Sequence, residues 1–320
     1  MPANPKFWFR SLIIAALGAG LLGVLGACSA LRIGYGQAPD LLYWYLDGYV
    51  DFNDNQTPKV REALAQFMAW HRRTQLPDYA NQLVRAQAEV LADTSAARVC
   101  EWQAELLTRA NAAFDRAVPA AAEFLLTVTP QQVQYLERHQ AKQNVEFRED
   151  YLQPEPRKRN EVTLKRTLER AESLYGKLTD SQRARIAEGL LRSPFDPEAW
   201  FAERRQRQQD ALSLMRRWGV DAAGRPAGAR EQAGSEMLPV QVQAALRAYV
   251  QGMAGSPREP YRRYTERLNE FNCSFAAALH NTTSVAQRRA AAQKLAGWEG
   301  DVRVLAVDLT RASAPDAMLR

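Results

Sequence analysis

The sequence predicts an all-α protein, an elongated and mostly antiparallel multi-helix bundle that follows a cleaved N-terminal signal. Three observations carry that class. Apolar residues recur at three- and four-residue spacing along most of the chain, and no alternating run bounded by hairpin turns stands out. The single long apolar run lies at the N-terminus, which excludes a polytopic membrane protein. At 46% apolar and 24% charged residues in a chain of 320, the composition is that of a globular protein and excludes a low-complexity or disordered chain.

The N-terminus comes first. Lys6 and Arg10 precede an uncharged stretch from Ser11 to Ala27, the layout of a secretory signal with a basic start, an apolar middle and small residues at the end. Leu25-Gly26-Ala27-Cys28 then resembles the lipobox of bacterial lipoproteins. That resemblance implies cleavage before Cys28, diacylglycerol on its thiol and, with Ser29 rather than Asp in the next position, the periplasmic face of the outer membrane. The alternative is an uncleaved anchor, for which the apolar run is at the short limit. The small-small-Cys ending fits processing better. The expected organisation is a signal over 1–27, a lipidated tether over 28–38, one helical domain over 39–308 with a flexible loop near 219–239, and a tail over 309–320. The only expected cofactor is the covalent lipid on Cys28.

Along the body, residues 40–52 place Leu42, Tyr45, Leu46 and Tyr49 on one helix face. A polar break at Asn53–Thr57 opens a helix at Pro58, a favoured first-turn proline, which meets Pro77 and resumes after it. A long helical stretch from Ala96 to Thr127 contains Pro119, where a kink or break is expected. The next helix starts at Thr129 and ends at Leu152–Pro156, and a very polar one follows over 157–177. Thr179 opens a shorter helix that stops at Ser193-Pro194, and another runs from about Asp196 to Trp218. Residues 219–239, rich in Gly, Ala and charge, read as the mobile loop. Three helices remain, near 240–253, 259–280 and 284–307.

With Cys28 lipidated, Cys100 and Cys273 are left as an even pair in an oxidising compartment, and a disulfide between them is expected to tie an early helix to a late one. Two separately buried thiols are the alternative. The formal charge of +6 falls once Lys6 and Arg10 leave with the signal, and an envelope location offers little nucleic acid. The expected partners are the membrane, through the lipid anchor, and an unfolded or envelope protein, with no nucleic acid. The candidate protein-binding element is the helix Trp200–Trp218, where Trp200, Phe201, Met215 and Trp218 alternate with Arg204, Arg205, Arg216 and Arg217. An ordinary amphipathic helix with arginine stems at its edge accounts for the same pattern.

Val128-Thr129-Pro130-Gln131-Gln132 and Leu178-Thr179-Asp180-Ser181-Gln182 share a spacing in which Thr caps a helix and Gln reaches back to the cap. It resembles the LTxxQ motif of the small periplasmic stress chaperones related to Spy and CpxP, which implies an ATP-independent holder of unfolded clients. Plain helix capping explains it without that function. A second likeness covers Leu42–Asp51 (LYWYLDGYVD) with Gln56, then Trp70–Ala80 (WHRRTQLPDYA). It resembles a proteobacterial lipoprotein family of unknown function, which implies the location and the helical body and supplies no chemistry.

The enzyme classes find little. His71, His139 and His280 fall on different expected helices, and neither H-E-x-x-H, G-x-S-x-G nor a glycine-rich phosphate loop is present. A non-catalytic protein-binding factor is expected; the alternatives are a structural or assembly scaffold for one dedicated envelope partner and, behind it, a metal-dependent enzyme. Arg72 and Arg73 are expected to disfavour protonation of His71. Asp47 and Asp51 share a helix face, where such a pair can bind a metal or act as acid and base, but they are expected to answer Arg61, Arg72 or Arg73. Asp51, Asn53, Asn55 and Glu62 have calcium-loop spacing, but Gln56 and Pro58 stand where such a loop needs a glycine and an aliphatic residue. A helix start explains them more simply.

Overall fold

Eleven helices and no strand make up the residues described by the computed structural model, 34–153, 155–221, 224–225 and 238–307. The signal, Cys28, most of the tether, most of the 219–239 loop and the tail lie outside them. From Pro39 onward the described residues form one compact unit. The helices are α1 (Ala38–Val50), α2 (Thr57–Trp70), α3 (Leu76–Glu89), α4 (Ala96–Leu125), α5 (Pro130–Tyr151), α6 (Pro156–Tyr175), α7 (Asp180–Arg192), α8 (Pro197–Trp218), α9 (Leu238–Ala254), α10 (Glu259–His280) and α11 (Val285–Val307). Among the described residues none is long and apolar enough to cross a membrane.

Neither expected proline break occurs. α2 passes into α3 through a wide π turn, His71–Gln75, in which the Leu76 N–H donates to the His71 carbonyl. Pro77 has no N–H to donate, and its ring crowds the carbonyl four residues back. The extra residue in the turn gives the ring room and the helix goes on. α4 runs through Pro119 unbroken and forgoes one helical hydrogen bond there.

Contacts along neighbouring helices set them antiparallel. On α5 and α8, Phe147 stacks on Phe201, Asn144 bonds Gln208 and Glu137 pairs with Arg216. On α4 and α10, Cys100 is joined to Cys273, while Thr94 just ahead of α4 bonds Asn281 just after α10.

Two apolar clusters form inside this arrangement. In the first, Ala122 and Leu125 of α4, Val128 ahead of α5, Val133 and Leu136 on α5, Leu212, Met215 and Trp218 of α8 and Val242 of α9 pack together. In the second, Leu178, Ile186 of α7 and Leu279 of α10 pack with Leu164, Leu168 and Tyr175 of α6. α4 connects them, since its first turns are bonded to α10 and its last turns lie in the first cluster. Two glycines allow close approaches. A Cβ on Gly189 would fall 2.2 Å from the Phe275 ring, and one on Gly219 would fall 2.5 Å from the Val128 carbonyl oxygen. Beside Gly219, the Val220 N–H donates to that carbonyl at 2.8 Å, so the expected loop is pinned to the core where it begins.

The cystine closes a sequence separation of 173 residues. Replacing both halves, Cys100→Ser with Cys273→Ser, is expected to lower the unfolding free energy by up to about 5 kcal/mol, by the chain-entropy argument. Urea titration of the two proteins measures it, and a loss under about 1 kcal/mol would contradict a covalent tie of that weight.

Candidate functional site

The Thr-x-x-Gln boxes are real and they are not alone. At Thr129 and Thr179 the hydroxyl accepts from the Gln132 and Gln182 N–H, and each glutamine Oε1 accepts from the N–H of its threonine. Two further boxes share the geometry. Asn53 Oδ1 accepts from the Gln56 N–H at 3.1 Å, and Gln56 Oε1 accepts from the Asn53 N–H at 3.1 Å. Ser284 Oγ accepts from the Gln287 N–H at 3.2 Å, and Gln287 Oε1 accepts from the Ser284 N–H at 2.9 Å. The residue ahead of each Thr cap, Val128 or Leu178, is buried in the cluster below.

The four boxes meet in crossed pairs. Gln56 and Gln132 exchange Nε2–H to Oε1 bonds of 3.1 and 2.7 Å across 76 residues. Gln182 and Gln287 exchange two of 2.9 Å across 105. Each amide also donates to a backbone carbonyl two residues before its partner's cap. Gln132 reaches Asp51, Gln56 reaches Thr127, Gln182 reaches Thr282 and Gln287 reaches Lys177, all at 3.0 Å. The four amides are thereby saturated, with two bonds into each oxygen and two or more out of each nitrogen. Sequence reading found two of the four. The same cap-x-x-Gln spacing marks Asn53-x-x-Gln56 and Ser284-x-x-Gln287, but a search centred on Thr passes over both.

The residues with calcium-loop spacing are spent on a helix start and on this network. Asn53 Oδ1 holds the Asn55 and Gln56 N–H groups, the Asp51 carbonyl holds Gln132, and Glu62 accepts from Gln66 one turn on. Asp51 sits at φ 60°, a left-handed position closing α1 that Asp tolerates better than most residues. Asp47 takes the Phe52 N–H at 3.0 Å, while Arg61 pairs with Asp40 at 2.5 Å, so Arg61 does not answer the Asp47–Asp51 face. Among the described residues no group of three or more His, Cys, Asp or Glu is placed to hold a metal.

The candidate binding helix α8 is corrected as well. Phe201, Met215 and Trp218 are buried in the protein's own packing, and Trp200 stacks on Phe147 with centroids 4.8 Å apart. Arg204 bonds Asn144 and Gln143, Arg216 pairs with Glu137, and Arg217 lies over the Trp218 ring, leaving Arg205 exposed. The apolar stripe was read correctly as one face; that face covers the core.

α8 also contributes a buried carboxylate. Glu203 accepts from Arg258 at 2.7 and 2.8 Å, from Ser256 at 2.9 Å and from Arg207 at 3.1 Å. Burial alone would push this carboxyl up, but these bonds, Arg258 foremost, hold it below the usual carboxylate range. A carboxylate so fully engaged is an anchor between α8 and the start of α10 and is poorly placed to carry a proton. Clefts of about 230 and 210 Å³ flank Arg207 and Tyr249, one reaching Asp210 and Arg258, the other Trp200 and Tyr261.

The histidines stay apart. His280 is bonded through Nδ1 to the Tyr175 hydroxyl and through Nε2 to the Ala92 carbonyl. His139 lies between Tyr49 and Tyr135. His71 sits in the π turn among Phe67, Trp70 and Tyr79, and burial holds its imidazole below the usual histidine range. Burial thus does what was assigned to Arg72 and Arg73.

Large apolar side chains do reach the surface elsewhere. On the middle of α4, Leu107 and Phe114 share a face with Ala110 and are 45% and 43% exposed, with Leu106 at the edge at 57%. This stretch lies between the turns held by α10 and those buried in the first cluster.

Compared with known proteins, residues 48–222 match the model of a family described as a family of unknown function, DUF6279. No curated protein and no solved structure matches the chain. The likeness to the Spy and CpxP chaperones therefore rests on the boxes alone.

Cutting one amide out of a crossed pair orphans groups on both helices. Gln132→Ala is expected to cost about 3 kcal/mol of stability, since it leaves the Thr129 N–H, the Asp51 carbonyl and the Gln56 amide without their partner. A double-mutant cycle with Gln56→Ala is expected to show a coupling of at least about 1 kcal/mol. Denaturant unfolding of the four proteins checks this, and additive losses would contradict the crossing.

Proposed function

We propose, for a chain that belongs to the DUF6279 family of unknown function, that it is a lipid-anchored envelope protein that binds other proteins and performs no catalysis. The lipobox-like Leu25–Cys28 places diacylglycerol on Cys28, and Ser29 directs the mature chain to the periplasmic face of the outer membrane. The partner is an unfolded or assembling envelope protein, held without ATP.

One observation carries the binding role. The Leu106, Leu107 and Phe114 side chains stand exposed on α4, which is braced at both ends by the disulfide and the first cluster. Apolar groups on a rigid helix favour apolar segments of a client, and the cost of ordering the surface is already met by the fold. Glu203 is engaged by Arg258, Ser256 and Arg207, and His280 is bonded at both ring nitrogens, so these groups serve the packing of the helices.

The chain from Ser29, oxidised and without ATP, is expected to suppress aggregation of two unrelated denatured proteins at near-stoichiometric amounts. Leu107→Ser with Phe114→Ser is expected to remove most of that protection while leaving the helical circular dichroism unchanged. Light scattering reads both results. Absence of protection for either client would overturn the holding role, and protection that survives the double substitution would move it off α4.

A further inference from the structure

α1 turns a second apolar face outward, and its make-up differs from that of α4. Leu41, Trp44 and Tyr45, at i, i+3 and i+4, are 44%, 63% and 61% exposed. Gly48 continues the face with open space around it. The opposite side holds the helix down. Tyr43 is buried, its hydroxyl lies 3.0 Å from Thr57 Oγ1, and its ring packs on Phe52.

Charge around the face is arranged to match. Asp40 is neutralised by Arg61, and Asp47 is turned to the Phe52 N–H. The Arg61 guanidinium that pairs with Asp40 lies 3.8 Å from the centroid of the buried Tyr43 ring and 5.7 Å from that of the exposed Trp44 ring. Indole and phenol rings concentrate at the headgroup level of a bilayer, where the ring is shielded and the N–H or O–H stays wet, and a face whose carboxylates are engaged meets that layer without a bare negative charge.

Chain length brings the bilayer to this face. Cys28 precedes Leu41 by thirteen residues. Even fully extended, that span reaches no more than about 45 Å.

We infer that this face of α1 lies in the headgroup layer of the bilayer that holds the Cys28 lipid, with Trp44 and Tyr45 as interfacial anchors. The inference rests on the lipid-anchored reading proposed above. It assigns the two exposed apolar faces different duties: α1 meets lipid and α4 meets protein.

In the oxidised chain from Cys28, the Cys28 thiol is the only free one. It is joined to a maleimide phospholipid in vesicles of phosphatidylethanolamine and phosphatidylglycerol at roughly three to one. A fraction of the lipid carries bromine near the top of the acyl chain. Bromine is expected to quench roughly a sixth of the tryptophan emission, and Trp44→Phe is expected to abolish that loss with the circular dichroism unchanged. No quenching, or equal quenching in Trp44→Phe, would overturn the inference. So would a dimer in sedimentation that Trp44→Ser dissolves, because the face would then belong to a second copy. Mass spectrometry of the Cys28 peptide from envelope material tests the underlying reading separately. An unmodified cysteine there would remove the lipid anchor whatever the vesicles report.

Discussion

Helix N-termini repel one another, since each gathers unpaired N–H groups and the positive end of the helix dipole. At two places in this chain they are nevertheless brought together, near the start of α2 against that of α5 and at the start of α7 against that of α11. The crossed glutamine pairs make this tolerable. Each Oε1 takes one N–H of its own helix start and one from the opposite amide, and each Nε2 fixes a carbonyl in the segment leading to the other helix. The second pair does the same with Thr179 and Ser284. Because Val128 and Leu178 lie directly ahead of two of the boxes, each crossing also sets the edge of an apolar cluster. Register in this part of the bundle is specified by polar groups, and buried amides specify it only while every bond is made.

With the crossings in place, the rest of the architecture follows from spacing. α4 is long enough to leave the second cluster and enter the first, and the cystine secures its start to α10. Helices that must close a core, α8 above all, spend their aromatic residues inward. Large apolar side chains still reach the surface at scattered positions, and α1 and the middle of α4 each present several on one helix face. In the functional reading proposed here, these two faces divide the surface between the membrane and a client. The polar network around Glu203 remains a joint between α8 and α10.

Much of this was legible in the sequence. The helices follow from periodicity, from prolines such as Pro58 and from the caps Thr129 and Thr179, and the Cys100–Cys273 pair follows from counting thiols. The misses have physical causes. Pro77 lies in a helix because a π turn accommodates it, and a local pattern cannot tell that turn from a break. α8 looked like a binding helix because an arginine-edged apolar stripe is the same whether its face meets a core or a partner. The box at Asn53 was missed because its cap is Asn rather than Thr, and the group that completes it, Gln132, is 79 residues away. The crossed pairing itself joins positions 76 and 105 residues apart, and capping signals are local.

The most direct test follows a perturbation across one crossing. In the native protein the Thr129 and Gln132 amides are expected to exchange hydrogen only through global unfolding, unlike ordinary first-turn amides, which open locally. Gln56→Ala touches a different helix start. If the crossing governs both ends, that change will speed exchange at the start of α5 as much as at the start of α2. Faster exchange confined to residues 53–60, with Thr129 and Gln132 still protected, would contradict the account.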